Sequence, residues 1–178
     1  LWAGESDTLG NPWNEDTIAV VNSCTKGAVA LACHLLADRG LLDLDAPVSE
    51  VWPEFAHGTK ASITNRMMLN HTTGVAAFRE ELPQGAAFDW DYMCDRVAAE
   101  EPWWSPGTRN GYHLMSFGWV AGELVRRTSG KSLGTFFKED VAEPSGADFW
   151  IGLPSEEHHR VSALQPFRPG AHEKFSAF

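Results

Sequence analysis

The sequence predicts an α/β domain in which helix dominates, and three observations carry that expectation. A β-branched run, Thr17-Ile18-Ala19-Val20-Val21, leads directly into a long stretch whose apolar residues recur at helical spacing. Further stretches of the same period follow, separated by Gly and Pro. The composition, 43% hydrophobic and 21% charged with eight Trp and ten Phe, is that of a folded domain with bulky core material.

The elements follow in order. A short buried strand is expected over residues 17–21, feeding a helix over 23–39. In that helix Ala28, Val29, Leu31, Ala32, Leu35 and Leu36 recur at helical spacing, Ser23 is placed to cap the start, and Gly40 closes the end. Residues 41–55 contain Pro47 and Pro53 and read as an extended connection. Thr64 caps a short helix over 64–70, ended by the turn His71-Thr72-Thr73-Gly74. Residues 89–101 form a helix stopped by Pro102, residues 115–127 one terminated at Gly130, and Ser132 caps the last, over 133–141. From Pro154 the chain turns polar, so the domain is assigned to residues 1–154 and residues 155–178 read as a polar tail or connection.

Charge and length exclude several classes of function. With 24 acidic against 14 basic residues the formal charge is −10, which disfavours nucleic acid as a partner. The longest uninterrupted apolar stretch, residues 27–33, is far below the roughly 18 residues a membrane span requires. Cys24, Cys33 and Cys94 form no C-x-x-C pair, so neither a disulfide framework nor structural zinc is expected. A reducing, cytoplasmic compartment fits, or a periplasmic or secreted one if a signal peptide precedes Leu1. His158 and His159 lack the H-E-x-x-H spacing of a zinc site, and no metal or cofactor is expected.

Ser23-Cys24-Thr25-Lys26 is an S-x-x-K at the start of the first helix. Its bland reading is a capping serine with a solvated lysine one turn later. Its chemical reading rests on the same spacing, which places the hydroxyl and the amine on one helical face with Cβ atoms about 5–6 Å apart. There the helix N-terminus favours developing negative charge, a partly buried amine can take a proton, and the serine N–H can help hold an oxyanion. Cys24, adjacent on the helix, points elsewhere and reads as a packing residue, and His34 beside the apolar stripe reads as a packed or boundary histidine. Trp103 and Trp104 fit either a pocket rim or the core.

Three further segments change the weighting: Leu42-Asp43-Leu44-Asp45-Ala46-Pro47-Val48, then Leu69-Asn70-His71-Thr72-Thr73-Gly74-Val75, close to L-x-H-T-S-G-L, then Pro106-Gly107-Thr108-Arg109-Asn110-Gly111-Tyr112, a P-G-x-x-x-x-Y. In this order and spacing the chain resembles the serine β-lactamase-related family, which holds penicillin-binding proteins, class C β-lactamases and esterases of the same fold. The resemblance implies an antiparallel sheet with a helical region, of which this chain is a helix-rich portion with outer strands missing. It also implies Ser23 as the acylated nucleophile, Lys26 as its hydrogen-bonded partner and Tyr112 as a hydroxyl that helps move the proton, with either Lys26 or Tyr112 as the base.

Two departures refine that expectation. The lactamase and peptidase branches carry Y-x-N, whereas Tyr112-His113-Leu114 offers no amide at its third position and looks more like the esterase-type branch. Leu114 and His113 are therefore expected at the substrate, with His113 able to swing in as a replacement donor and Trp104 at the rim. The family's late K-T-G, H-x-G or W-x-G element, which brings the second oxyanion donor, does not follow Tyr112. The resemblance thus implies a carboxylesterase acting on small esters through an acyl-enzyme. The alternatives are a β-lactamase or D,D-peptidase acting on lactams or peptides, and a non-catalytic binding protein that keeps the fold. It further implies that the 178-residue chain alone is poorly stable and essentially inactive. Nothing in the sequence fixes an oligomeric state.

Overall fold

The computed structural model describes residues 1–165, which divide into two compact units. One comprises Leu1–Asn22 together with the chain from Leu153 on, and the other is Ser23–Gly152. Residues 153 and 154 thus fall with the chain's beginning; positions 166–178 of the expected tail lie outside the described residues.

In the smaller unit, Glu5 and Pro12 form an antiparallel bridge closed by the Ser6 N–H on the Asn11 carbonyl (2.8 Å) and the Trp13 N–H on the Gly4 carbonyl (2.8 Å). The strand expected over residues 17–21 does not form. Ile18 alone pairs, in a parallel bridge with Val161, and Val20 and Val21 are exposed. β-Branched residues favour an extended backbone, but a strand needs a partner along its length, and here the partner extends for one residue. Among the described residues, pairing is limited to three isolated bridges, the third being Pro47 with Thr64.

The larger unit is helical. Helix α1 spans Thr25–Asp38, α2 Asn65–Leu69, α3 Trp90–Ala99, α4 Phe117–Ser129, α5 Leu133–Phe137 and α6 Glu143–Ser145. Thr64 and Ser132 cap α2 and α5 as expected, accepting the N–H groups of Met67 and Thr135, and Asp89 caps α3 through Tyr92. Gly130 ends α4 in the left-handed conformation (φ 73°), which costs glycine no Cβ clash. The final helical run is longer than its periodicity suggests. A wide π stretch, Lys138–Ala142, joins α5 to α6 one turn before Pro144, a residue with no N–H to return to an earlier carbonyl. The connection over residues 41–55 contains short 3₁₀ turns at Val48–Glu50 and Pro53–Phe55.

α4 is the hub. Trp119, Val120 and Leu124 face a cluster with Trp52, Phe55, Ile63, Met68, Met93 and Val97, whereas Phe117, Ala121 and Val125 face α1 and α5 through Val29, Ala32, Leu36 and Phe136. The four-residue spacing within each set places the two clusters on different sides of one helix. Burial of a side chain such as Leu36 or Leu124, each fully enclosed, contributes about 1.5–3 kcal/mol. His34 and Cys24 are exposed rather than packed, because the buried face of α1 runs through Val29, Ala32, Cys33 and Leu36. No helix among the described residues is long and apolar enough to cross a membrane.

Candidate active site

Ser23 does not cap α1 through its side chain. It lies in a 3₁₀ turn, Asn22–Cys24, that runs into the helix, and the cap position is Cys24, without a side-chain hydrogen bond. The hydroxyl is thereby left for another partner: Lys26 Nζ donates to Ser23 Oγ at 3.2 Å and to the Leu114 carbonyl at 3.4 Å. The three-residue spacing predicted this pairing, and helix α1 delivers it one residue into its first turn.

Tyr112 completes the group. Hydrogen bonding to Ser23, and secondarily to Lys26, holds its phenol below the ordinary tyrosine range, and Lys26 Nζ stands 4.8 Å from the ring centroid. The ring is half in solvent, at 52% exposure, so its hydroxyl is reachable from outside. The structure therefore brings together Ser23 from the 3₁₀ turn before α1, Lys26 from α1 itself and Tyr112 from a loop nearly ninety residues further on.

That loop is held by the segment after α2. The Trp103 N–H donates to the Gly74 carbonyl (2.9 Å), Gly107 N–H to Thr72 (2.9 Å), and Gly111 N–H to His71 (3.1 Å), while the Asn110 side-chain amide donates to the Asn70 carbonyl (2.6 Å). Gly74 has φ 82°, and a Cβ there would lie 2.7 Å from the Trp104 carbonyl, so both the turn and the close approach require glycine. The two segments that the sequence offered as separate motifs are one hydrogen-bonded platform.

His113, expected at the substrate, is instead committed inward. It is fully buried, Nδ1–H donates to the Gly111 carbonyl (2.6 Å), and Nε2 accepts the Thr73 hydroxyl (2.7 Å), which itself accepts the Val75 N–H (3.0 Å). Swinging the ring outward would orphan the Thr73 hydroxyl and the Gly111 carbonyl in the interior. Burial holds its pKa below the usual imidazole value, opposed by the Gly111 bond and supported by the neighbouring His71.

Leu114 is 63% exposed next to Tyr112, and its carbonyl anchors Lys26. Trp104 is half-buried: its indole N–H donates to Arg109 (3.0 Å), its ring covers Gly111 and it meets His113 edge-on at 6.5 Å. Its contacts are thus with the inner side of the tyrosine loop. Trp103, half exposed, bonds the Ala77 carbonyl and stacks under Arg79.

The residues that motif reading left without a role are His71 and Thr73. Both lie in the Leu69–Val75 pattern, and only the packed loop reveals what they touch.

Comparison with known proteins follows this geometry. The family model described as Beta-lactamase matches residues 1–173. The chain is similar to Esterase/beta-lactamase LipL of Mycobacterium tuberculosis, with 39% identity covering 86% of this chain and 36% of that protein. It is also similar to Esterase EstB of Burkholderia gladioli, with 34% identity covering 92% and 45%. Among solved structures, a family VIII carboxylesterase superposes with TM-score 0.89 at 43% identity, covering 92% of this chain and 46% of that one. A penicillin-binding protein homologue from Caulobacter crescentus gives 0.88 at 40%, covering 99% and 47%. The chain spans less than half the length of these relatives. Its helices take up the helical part of the β-lactamase/transpeptidase-like fold, and with the family model matching nearly end to end, the chain belongs to the beta-lactamase family.

Proposed function

We propose that this chain carries the nucleophilic part of a serine carboxylesterase site that acts on small esters through an acyl-enzyme on Ser23. The observation that carries the reading is the contact of Lys26 Nζ with Ser23 Oγ at 3.2 Å, with the Tyr112 ring centroid 4.8 Å from the same Nζ. Ser23 Oγ attacks the ester carbonyl carbon while its proton passes to Tyr112, whose lowered pKa favours the phenolate. Lys26, whose amine points at the acceptors Ser23 Oγ and Leu114 O, serves as the cation that stabilises this phenolate. The Ser23 N–H is one donor to the tetrahedral oxyanion. Collapse expels the alkoxide, which takes the proton from Tyr112, and water attacking the acyl carbon by the reverse route frees the acid and restores Ser23.

The names of the relatives, two esterases and a family VIII carboxylesterase, support the ester assignment. So does Leu114, which stands where a lactamase-type motif has asparagine. Leaving a substrate amide without its hydrogen bond costs about 1–3 kcal/mol, or roughly 5- to 150-fold against lactams. A fluorophosphonate probe should label Ser23, and Ser23→Ala should abolish labelling and lower ester turnover by about 10³-fold or more. Labelling that persists in Ser23→Ala refutes the nucleophile. The second reading, a lactamase or D,D-peptidase, has the penicillin-binding protein homologue in its favour. Comparing kcat/KM for a p-nitrophenyl ester and a chromogenic cephalosporin separates the two. The ester should win, and Leu114→Asn should raise relative lactam turnover; a cephalosporin preferred with Leu114 in place overturns the esterase.

A further inference from the structure

His71 is one of two non-glycine residues with positive φ among the described residues, at 65°. Such conformations in bulky residues persist where the surroundings over-determine them, and they cluster at functional sites. His71 follows Asn70, the C-cap of α2, and meets the tyrosine loop through its carbonyl, its Nδ1 and its ring. Its carbonyl accepts the Gly111 N–H (3.1 Å), and its Nδ1 accepts the backbone N–H of His113 (3.2 Å). Its ring centroid lies 5.0 Å from that of Tyr112, 5.2 Å from that of His113 and 5.1 Å from that of Phe117, at the start of α4.

We propose that neutral His71 is the positioning residue that fixes Tyr112 over Ser23, and that its protonation releases the tyrosine loop and sets the acid limit of the site. The proposal rests on the serine hydrolase reading above but concerns a residue that takes no part in bond making. Nδ1 can accept the His113 N–H only while it carries no proton. Protonation turns that acceptor into a donor, strips the partner from a backbone N–H beside the fully buried His113 ring, and brings a second cation toward Lys26. The titratable groups facing the imidazole are Lys26 from α1 and Tyr112 and His113 from the loop; Phe117, from α4, carries no charge. Burial first, and the charge of Lys26 second, hold the His71 pKa below the ordinary imidazole value. The site therefore keeps its geometry through neutral pH and loses it only on the acid side.

Asparagine provides the decisive variant. Its Oδ1 overlays the position of Nδ1 and accepts the same N–H, it tolerates positive φ, and it does not titrate. Two measurements follow. In the isotope-labelled wild-type protein, the His113 amide and the Tyr112 ring resonances should shift with the same midpoint as the His71 imidazole, below the usual value, while the spectrum stays dispersed. The rate of fluorophosphonate labelling at Ser23 should fall through that midpoint by about tenfold per pH unit. In His71→Asn the part of the fall with the His71 midpoint should vanish or move to lower pH, leaving only the dependence that protonation of Tyr112 itself produces, whereas His71→Phe, which keeps a ring but no acceptor, should label at least tenfold more slowly across the whole range. An acid limb unchanged in His71→Asn, or a His113 amide indifferent to the His71 titration, overturns the proposal. If no form labels at any pH, the hydrolase reading fails, and the resonances of His113 and Tyr112 still decide whether His71 positions the loop.

Discussion

Gly111→Ala tests whether the packing behind Tyr112 controls the chemistry in front of it. A Cβ at position 111 would lie 2.2 Å from Cη2 of Trp104, 2.9 Å from Cζ2 and 3.1 Å from Cζ3, all well inside van der Waals contact. The indole is rigid and tethered, since its N–H donates to the Arg109 carbonyl at 3.0 Å. Gly111 is tied as well, through its N–H to His71 and its carbonyl to His113. Overpacking costs about 1–3 kcal/mol, and losing the indole hydrogen bond adds about 1 kcal/mol. The expected loss of stability is about 2–4 kcal/mol, lowering Tm by roughly 5–15 °C for a chain of this size. A shift of about 1 Å in the adjacent Tyr112 should slow Ser23 labelling on the order of 10²-fold. Urea unfolding and labelling rates measure both. Trp104→Phe removes the atoms that clash, so the double variant Gly111→Ala/Trp104→Phe should be more stable than the sum of the single changes allows. Additive single effects, or Gly111→Ala labelling at the wild-type rate, would refute the coupling.

Two further outcomes can be checked. Glu123 is fully buried; burial raises its pKa, but Arg126, Trp90 and Arg127 together hold it down to about 2. Because the folded value lies below the ordinary 4.5, the stability it contributes is complete above that value and is lost as pH falls from there toward 2, on the order of 3 kcal/mol in all. Glu123→Gln, which turns an amide toward two guanidinium groups, should cost about 3–5 kcal/mol in urea unfolding and flatten that acid dependence. Tyr112 should ionise below the usual tyrosine range, read by ultraviolet difference spectroscopy in a Tyr92→Phe background where it is the only phenol, and Lys26→Met should move it upward. A Tyr112 titration unmoved by Lys26→Met would remove the charge coupling.

Local chemistry explains what was legible before the structure. Thr64, Ser132 and Gly130 each act through backbone groups within a few residues, and the S-x-x-K pair spans the 3₁₀ turn and the first turn of α1 that follows it, so spacing alone located them. Residues 17–21 failed because a strand depends on a distant partner, present here only at Val161. The assignment of Ser23 as a cap failed because the chain enters α1 through a 3₁₀ turn, which moves the cap to Cys24. His113 misled for a different reason. A polar residue beside Tyr112, the proposed proton carrier, invites a functional role, and only the Thr73 hydroxyl and the Gly111 carbonyl reveal that its nitrogens are already committed inward. His71 was visible as a motif letter, yet its left-handed backbone and its acceptor role belong to the packed loop.

The bond from Lys26 to the Leu114 carbonyl spans 88 residues of sequence. Closing a loop of that length costs on the order of 4 kcal/mol in chain entropy, and the docking of α1 on α4 must supply it before the amine and the phenol meet. The helices can therefore form early from local signals, while Ser23, the proposed nucleophile, lies apart from Tyr112 until that docking is complete. Reactivity of Ser23 toward an electrophilic probe is in this sense a clock for tertiary assembly: during refolding it should appear after helical circular dichroism and together with burial of the α1–α4 seam.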